Sequence, residues 1–179
     1  MVRTLLSGGA KVDLQAHDGA SPLHEACNEG HTEVVRTLIS AGAKVNLQTT
    51  DGKTSLYAAC HDVHIGVVLA LLSAGAKVDL RTTNGVTPLF VACLDGHIGV
   101  VRALLSTGAK VDLQTTKGMT ALFAACHDGH VGVVRALLSA GAKVNLQAED
   151  GYAPLHLACS KGDTEVVRIL LSAGAKVNL

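Results

Sequence analysis

The sequence predicts an all-α solenoid, a stack of similar helix-turn-helix units, because short motifs recur along it every 33 residues. One series consists of turn glycines: Gly19, Gly52, Gly85, Gly118 and Gly151. A second series opens the recurring tetrapeptide Gly-Ala-Lys-Val: Gly42, Gly75, Gly108, Gly141 and Gly174. A unit of this length cannot bury its own apolar face, so neighbouring copies must stack into an elongated array with a long exposed groove.

The third copy, residues 84–116, shows how each unit begins. Asn84-Gly85 is a dipeptide typical of tight turns. Thr87 supplies a hydroxyl suited to the N-cap of a helix, and Pro88 is favoured at the first helical position. The copy therefore predicts a tight turn that leads at once into a first helix, which Gly96 ends.

The remainder of the copy predicts a second helix and a return segment. Apolar side chains at helical spacing mark the second helix: Val100, Val101, Leu104 and Leu105. Gly108 ends this helix. We expect residues 111–113 to run extended towards the next turn.

These motifs resemble the ankyrin repeat. The family signature Thr-Pro-Leu-His-x-Ala appears as Ser-Pro-Leu-His-Glu-Ala at residues 21–26 and as Ala-Pro-Leu-His-Leu-Ala at residues 153–158. The family's Gly-His before the second helix appears at Gly30-His31, Gly96-His97 and Gly129-His130, and its Gly-Ala-x-Val-Asn at residues 42–46. The resemblance covers the whole chain and implies an ankyrin-repeat solenoid with its turn tips on one edge.

We expect residues 1–179 to form a single array without a linker. The predicted units are a partial repeat at 1–17, full repeats at 18–50, 51–83, 84–116 and 117–149, and a slightly truncated last repeat at 150–179. Ankyrin arrays normally close with units that have a polar outer face, whereas both outer units here keep the internal pattern. This predicts either a piece of a longer array or end-to-end self-association.

Charge and hydropathy narrow the range of partners. The 15 Lys and Arg residues balance the 15 Asp and Glu residues, and no run of basic residues occurs, which argues against nucleic acid as a partner. No apolar stretch approaches the roughly 20 residues that span a bilayer, so we expect no direct membrane insertion. The first residues match the second helix of the repeat and do not match a secretory signal.

The cysteines share one position in the repeat: Cys27, Cys60, Cys93, Cys126 and Cys159. Stacked helices lie about 8–10 Å apart, whereas a disulfide needs Cα atoms within roughly 7 Å. We interpret the cysteines as unpaired, small buried side chains in a reducing, cytoplasmic environment.

Metal binding and catalysis are weakly supported by the sequence. Four histidines recur at the repeat interval, His31, His64, His97 and His130. The resemblance implies that they hold the turn between the two helices. A catalytic cysteine needs an exposed thiolate beside a base, and zinc needs about four ligands. The pattern favours neither, so we predict no enzyme activity, no metal and no cofactor.

Positions at which the copies differ are the candidates for partner binding. In proteins that resemble this one, the turn tips and the exposed side of the first helix line the concave binding surface. On that surface we select a candidate protein-binding site: Lys53, His61, Val86, Leu94, Met119, His127, Asp128 and Tyr152. Because interface energy concentrates in a few large anchors, Leu94, Met119 and Tyr152 are the predicted anchors. The alternative is that they are scattered exposed apolar residues of no consequence.

Aromatic residues replace the family's signature histidine in three copies, at Tyr57, Phe90 and Phe123, and the histidine remains at His24 and His156. We expect the aromatic rings to pack as a ladder between neighbouring units. An aromatic binding stripe is the alternative.

Irregular positions predict local weakness. Val63 stands where the other copies have a helix-ending glycine, and a left-handed backbone there would cost about 1–2 kcal/mol. Ala153 lacks an N-cap hydroxyl worth about 1 kcal/mol. Glycine is unfavourable early in the second helices, where it occurs at Gly66, Gly99 and Gly132. We expect the second repeat to be the least stable.

The resemblance implies a non-catalytic scaffold that binds a protein partner in the concave groove. One alternative is a structural spacer or tether of a larger membrane or cytoskeletal ankyrin protein. A designed or consensus scaffold is another, against which the irregular Val63, Leu69 and Ala153 argue. The resemblance also raises hydroxylation of the asparagine in Val-Asn, at Asn46, Asn145 or Asn178.

Overall fold

The computed structural model describes residues 11–177, which form ten α-helices and no strand. The first helices of the units are α1 (Pro22–Asn28), α3 (Ser55–His61), α5 (Pro88–Leu94), α7 (Ala121–His127) and α9 (Pro154–Lys161). The second helices are α2 (Thr32–Ser40), α4 (Ile65–Ser73), α6 (Ile98–Ser106), α8 (Val131–Ser139) and α10 (Thr164–Ser172). Each helix packs on its counterpart in the next unit, and each first helix packs on its own second helix. The predicted all-α stack is confirmed, while residues 1–10 of the predicted partial repeat lie outside the described residues.

The first helices begin where the turn chemistry predicts. Threonine side chains cap three of them by accepting the backbone N–H three residues on, at 3.1–3.2 Å: Thr54, Thr87 and Thr120. Ala153 occupies the same position before α9 and provides no such bond. Its backbone N–H donates instead to Nδ1 of His156 at 3.0 Å, so α9 begins without a side-chain cap.

The core consists of apolar columns that run through the stack. The first helices supply one column of buried leucines, Leu23, Leu56, Leu89, Leu122 and Leu155. The second helices supply another, Leu38, Leu71, Leu104, Leu137 and Leu170. Burying one such side chain contributes about 1.5–3 kcal/mol, and in each column the burial depends on neighbouring units. Stability is therefore shared between repeats.

Hydrogen bonds tie each unit to the next along two lines. At the turn tips, backbone N–H groups donate to backbone carbonyls of the preceding turn tip at 2.7–3.0 Å, in the pairs Thr50–Asp18, Thr83–Asp51, Thr116–Asn84 and Glu149–Lys117. After the second helices, an Asp or Asn side chain accepts from a backbone N–H of the following unit at 2.8–3.0 Å, in the pairs Asp13–Lys44, Asn46–Lys77, Asp79–Lys110, Asp112–Lys143 and Asn145–Lys176.

The second line of bonds corrects one expectation from the sequence. Residues 111–113 do not run extended, because Val111 and Asp112 form a turn. This turn aims the Asp112 carboxylate at the backbone N–H of Lys143. Asn46 and Asn145 belong to the same line, and their hydroxylation stays a prediction; Asn178 lies outside the described residues.

The cysteines are free, and four of them are buried as predicted. Burial raises the pKa of the Cys27 and Cys126 thiols to about 12 and also raises those of Cys60 and Cys93. The prediction is wrong for Cys159, which is exposed; among residues 11–177 α9 packs on α7 and on α10, and no further helix covers its other side. The four buried thiols stay protonated near neutral pH and behave as apolar packing groups.

Two of the repeated histidines hold the turn between helices, as the resemblance implied. His64 Nε2 donates to the Asn28 carbonyl, and His130 Nε2 donates to the Leu94 carbonyl, both at 3.0 Å. Each ring lies against a glycine of the preceding unit, Gly30 or Gly96, where any side chain would overlap the ring. Here glycine allows both the positive φ and the close approach of the histidine.

Val63 breaks this arrangement in the second repeat. Its φ is 62°, and it is the one non-glycine residue with a positive φ among residues 11–177. A β-branched side chain is strained in this region. Within residues 11–177 His97 makes no bond corresponding to those of His64 and His130. Val63 stands at the repeat position where Gly30 meets the His64 ring and Gly96 meets the His130 ring.

Replacing Val63 by glycine is expected to stabilise the protein. Val63→Gly removes about 1–2 kcal/mol of left-handed backbone strain and opens the space in which His97 can donate to the His61 carbonyl. Urea unfolding measures the change, with Val63→Ala as the control because alanine keeps the strained β-carbon. Hydrogen exchange of the second repeat should slow in Val63→Gly. Equal stability of the glycine and alanine variants would contradict the strain argument.

The signature position of the first helix is buried in the interior of the stack. Phe90 and Phe123 are buried and Tyr57 is half-buried, and the packing of these rings as a ladder between units stays a prediction. His24 is also buried; its Nδ1 accepts from the Ser21 backbone N–H and its Nε2 donates to the Leu47 carbonyl, both at 3.1 Å. Burial lowers the pKa of His24 below its ordinary 6.5, so folding favours the neutral ring.

The His24 side chain is expected to make stability depend on pH. Since its pKa is lower in the folded than in the unfolded protein, its contribution is present above pH 6.5 and is lost as the pH falls through the folded pKa. In His24→Phe, which copies Phe90 and Phe123, urea unfolding should show a flatter loss of stability on acidification. His156→Phe is the matched control, because it alters the same repeat position where the ring is exposed. Parallel pH profiles for wild type and His24→Phe would refute the assignment.

Candidate protein-binding groove

The selected residues form two rows along the stack. Lys53, Val86, Met119 and Tyr152 each follow the turn glycine of their unit, and we refer to them as the turn-tip row. His61, Leu94 and His127 are the last residues of α3, α5 and α7. With Asp128, which caps α7, they form the helix-end row. The rows are separated by the length of a first helix, about 10 Å for seven residues.

The turn-tip row contains two open clefts that share residues. Val86 and Met119 are half-buried and line a cleft of about 420 Å³ together with Asn84, Thr115, Thr116 and Lys117. Lys117 and Met119 also line a smaller cleft of about 200 Å³ with Ala148, Glu149 and Asp150. We refer to these as the tip clefts. Met119 lines both clefts, so its apolar side chain is flanked by positively and negatively charged side chains.

Lys53 is fixed by its own turn. Its Nζ lies 3.0 Å from Asp51 Oδ2 and 5.9 Å from the centre of the Tyr57 ring. Hydrogen bonds from the Thr49 hydroxyl and from Lys53 lower the pKa of Asp51, and the Asp51 carboxylate raises the pKa of Lys53. Both groups are charged and solvent-accessible at neutral pH, and the Lys53 ammonium is partly neutralised before any partner arrives.

The helix-end row presents histidine–aspartate pairs. His61 Nδ1 lies 3.0 Å from Asp62 Oδ1, and His127 Nδ1 lies 2.9 Å from Asp128 Oδ1. The hydrogen bond from His127 lowers the pKa of Asp128, with smaller contributions from the charges of Lys161 and His130. All four paired side chains are exposed, and the lowered pKa of Asp128 keeps its carboxylate ionised at neutral pH. Leu94, between the two pairs, is half-buried.

Tyr152 is the most exposed apolar member of the turn-tip row, with 49% of its surface accessible. Its ring meets the His156 ring edge-on, with centres 5.5 Å apart and an interplanar angle of 61°. The contact holds the tyrosine ring at the N-terminal end of α9. Tyr152 is thus a positioned aromatic side chain that lines neither tip cleft.

The comparison with known families follows the same repeat. A family model described as ankyrin repeats (3 copies) matches residues 1–82, 42–115, 63–148 and 89–179, which together span the chain. The chain belongs to the ankyrin-repeat family. Ankyrin repeats are in general modules for protein–protein interaction and are typically non-catalytic. No curated protein matches the sequence at a significant level.

The ankyrin stack brings some of the selected residues together and keeps others apart. Val86 and Met119 meet in one tip cleft although they are distant in sequence. Lys53 and His61 lie at opposite ends of α3 and share no contact. Tyr57 lies near Lys53, whose Nζ is 5.9 Å from the centre of its ring. Burial raises the pKa of Tyr57, the charge of Lys53 lowers it, and the charges of Asp51 and Asp95 raise it.

The selected site leaves out polar residues at the turn tips and first-helix ends of the ankyrin stack. Lys117, Glu149 and Asp150 line the tip clefts but were not selected. Glu29, Asp62 and Asp95 occupy the same repeat position as Asp128, directly before the residue that ends the first helix, which is valine at Val63 and glycine in the other three copies. Superposing the copies would have revealed this column, because all four occupy one repeat position and carry one charge.

Other chemistry finds little support in the ankyrin stack. Within residues 11–177 no group of three or more His, Cys, Asp or Glu side chains is placed to hold a metal ion. No helix in this range is long and apolar enough to cross a bilayer. The buried cysteines keep their protons, as described above, and so lack the thiolate that nucleophilic catalysis needs.

Proposed function

We propose that this ankyrin array is a non-catalytic scaffold that holds a protein segment in the concave groove between the turn-tip row and the helix-end row. The observation that carries the proposal is the larger tip cleft, in which Val86 and Met119 present apolar surface on an otherwise polar rim. Such a half-buried apolar point surrounded by polar groups suits an interface anchor. General ankyrin function as an interaction module supports it.

Each selected residue has a role in this proposal. Met119 and Val86 receive an apolar side chain of the partner, and Leu94 adds apolar surface between the histidine–aspartate pairs. Tyr152 offers an aromatic face at the end of the groove. The charged side chains at the rim attract partners of opposite charge and repel partners of like charge, which contributes more to specificity than to affinity.

The groove is tested by comparing two matched variants. The groove variant carries Met119→Ala, His127→Ala and Tyr152→Ala; the control carries Arg36→Ala, Arg102→Ala and Arg168→Ala, exposed changes on the second helices. After circular dichroism shows both folded, each is used with wild type to capture proteins from a lysate, and captured proteins are identified by mass spectrometry. We expect partners retained by the control and lost by the groove variant, because truncating anchors costs more than 1 kcal/mol each.

Two results would contradict the groove. Partners lost only from the second-helix control would move the interface to the other side of the stack. If none of the three proteins captures a partner, the alternative of a structural spacer or tether is favoured. In that alternative the stack acts through its length and stiffness and binds nothing in this groove.

A specific observation favours end-to-end stacking as a second candidate. The outer face of the fifth repeat exposes His156 and Cys159, whose counterparts His24, Cys27, Cys60, Cys93 and Cys126 are buried. Leu171 on α10 is also 43% exposed. This face has the pattern that elsewhere in the chain is covered by the next ankyrin unit, and a second copy would cover it in the same way.

Sedimentation velocity over a range of concentrations tests the stacking. A mass that rises with concentration is expected, and Cys159→Arg, which places a charge where a unit would pack, should return the protein to a monomer. Ser160→Arg is the control, because Ser160 is exposed next to it on the groove side of α9. A monomer at every concentration would eliminate the second candidate.

A further inference from the structure

The groove of this electrically neutral chain is not neutral. One exposed carboxylate stands at the C-terminal end of each of the first four first helices: Glu29, Asp62, Asp95 and Asp128. Since they share one repeat position, the stack aligns them in a single row along the groove. We refer to them as the carboxylate row.

Helix energetics do not account for this row. The C-terminal end of a helix carries partial negative charge, so an acidic cap is unfavourable there, and neighbouring carboxylates of the row repel one another. Asp62 and Asp128 are paired with the adjacent histidines, whereas Glu29 and Asp95 form no ion pair within residues 11–177. The fold therefore bears an electrostatic cost that a cationic partner would offset.

The row lies beside apolar surface that a partner can bury. Leu94 separates Asp62 from Asp128 at the helix ends, and the tip clefts with Val86 and Met119 lie across the groove. Glu149 and Asp150 add further negative charge to the smaller cleft. Two lysines also face the groove: Lys53, which is paired with Asp51, and Lys117, which lines the tip clefts. The carboxylates outnumber them, and exposed arginines such as Arg102 and Arg135 lie on the second helices.

The spacing of the row restricts the shape of its ligand. Successive repeats lie about 8–10 Å apart. A polyproline II segment has three residues per turn and rises about 3.1 Å per residue, so its every third side chain advances by about 9 Å along one face. An α-helix covers the same distance in about six residues, which rotates successive side chains by about 240° around its axis, so only every third of them would face the row.

We propose that the groove binds an extended, basic protein segment in polyproline II conformation, with Lys or Arg at every third position facing the carboxylate row. An apolar side chain between two of these cations enters the tip cleft of Val86 and Met119. The inference rests on the proposed groove function and specifies its partner. Lys161 occupies the corresponding position in the fifth repeat, so the cationic pattern of the segment ends there and an acidic residue follows it.

The test uses labelled synthetic peptides with the full chain. The probe has lysine at every third position with proline and leucine between; its isomer has the same composition with the lysines consecutive. Fluorescence anisotropy is measured for wild type, for the variant Asp62→Asn, Asp95→Asn, Asp128→Asn, and for the control Glu33→Gln, Glu165→Gln, which removes carboxylates from the second helices. Asn keeps the shape of Asp, so the groove should stay folded.

We expect the spaced probe to bind wild type and the second-helix control alike, and to lose about tenfold in affinity with the Asn variant, which corresponds to removing three exposed ion pairs. The isomer should bind more weakly than the spaced probe, and added salt should weaken the spaced probe. Equal binding of the two peptides, or of wild type and the Asn variant, would overturn the inference.

A peptide library without charge bias separates this inference from the broader groove function. One outcome is that the library selects neutral or acidic segments that the Met119→Ala, His127→Ala, Tyr152→Ala variant no longer binds. That result would refute the basic ligand and support the groove function. Selection of no segment that depends on either set of groove residues would remove both. Enrichment of basic residues at every third position would support both.

Discussion

The apolar columns between successive repeats are the interaction on which this structure depends. One unit offers two short helices whose leucines and valines have no cover within the unit, so each repeat is stable only against its neighbours. The hydrogen bonds between turn tips and from Asp or Asn to the following Lys backbone fix the register of that packing. Positions that face a neighbour are consequently restricted to small or well-fitting side chains. This is why buried cysteine and alanine recur with such regularity, and why Cys159, which has no neighbour, is exposed.

The same constraint decides where the chain can vary. Side chains inside the stack must repeat, whereas the turn tips and the ends of the first helices face outward and differ from copy to copy. Val86 and Met119 meet only because two turns are stacked. Val63 shows a departure from the repeat: it replaces a glycine and adopts a φ of 62°. Within residues 11–177 His97 of the next repeat makes no bond like those of His64 and His130.

Stacking also converts a neutral sequence into a surface with separated charge. No run of acidic residues exists along the chain, yet carboxylates that are far apart in sequence become neighbours at the ends of α1, α3, α5 and α7. The net charge of a repeat protein therefore says little about the charge of its partner, because side chains that are neighbours on the surface are one repeat apart in the sequence. The histidine–aspartate pairs moderate this field at two of the four positions and leave the groove anionic.

The sequence by itself determined the fold class, the helix start at Thr87, the unfavourable position of Val63 and the burial of four of the five cysteines, because each depends on local chemistry repeated at a fixed interval. It identified Met119 and Val86 as candidates but not that they share a cleft. Only the tertiary structure decided that cleft, the turn at Asp112, the exposure of Cys159 and the alignment of the carboxylates. These depend on which side chains lie across a repeat boundary, and that distance is set by packing between units and not by separation along the chain.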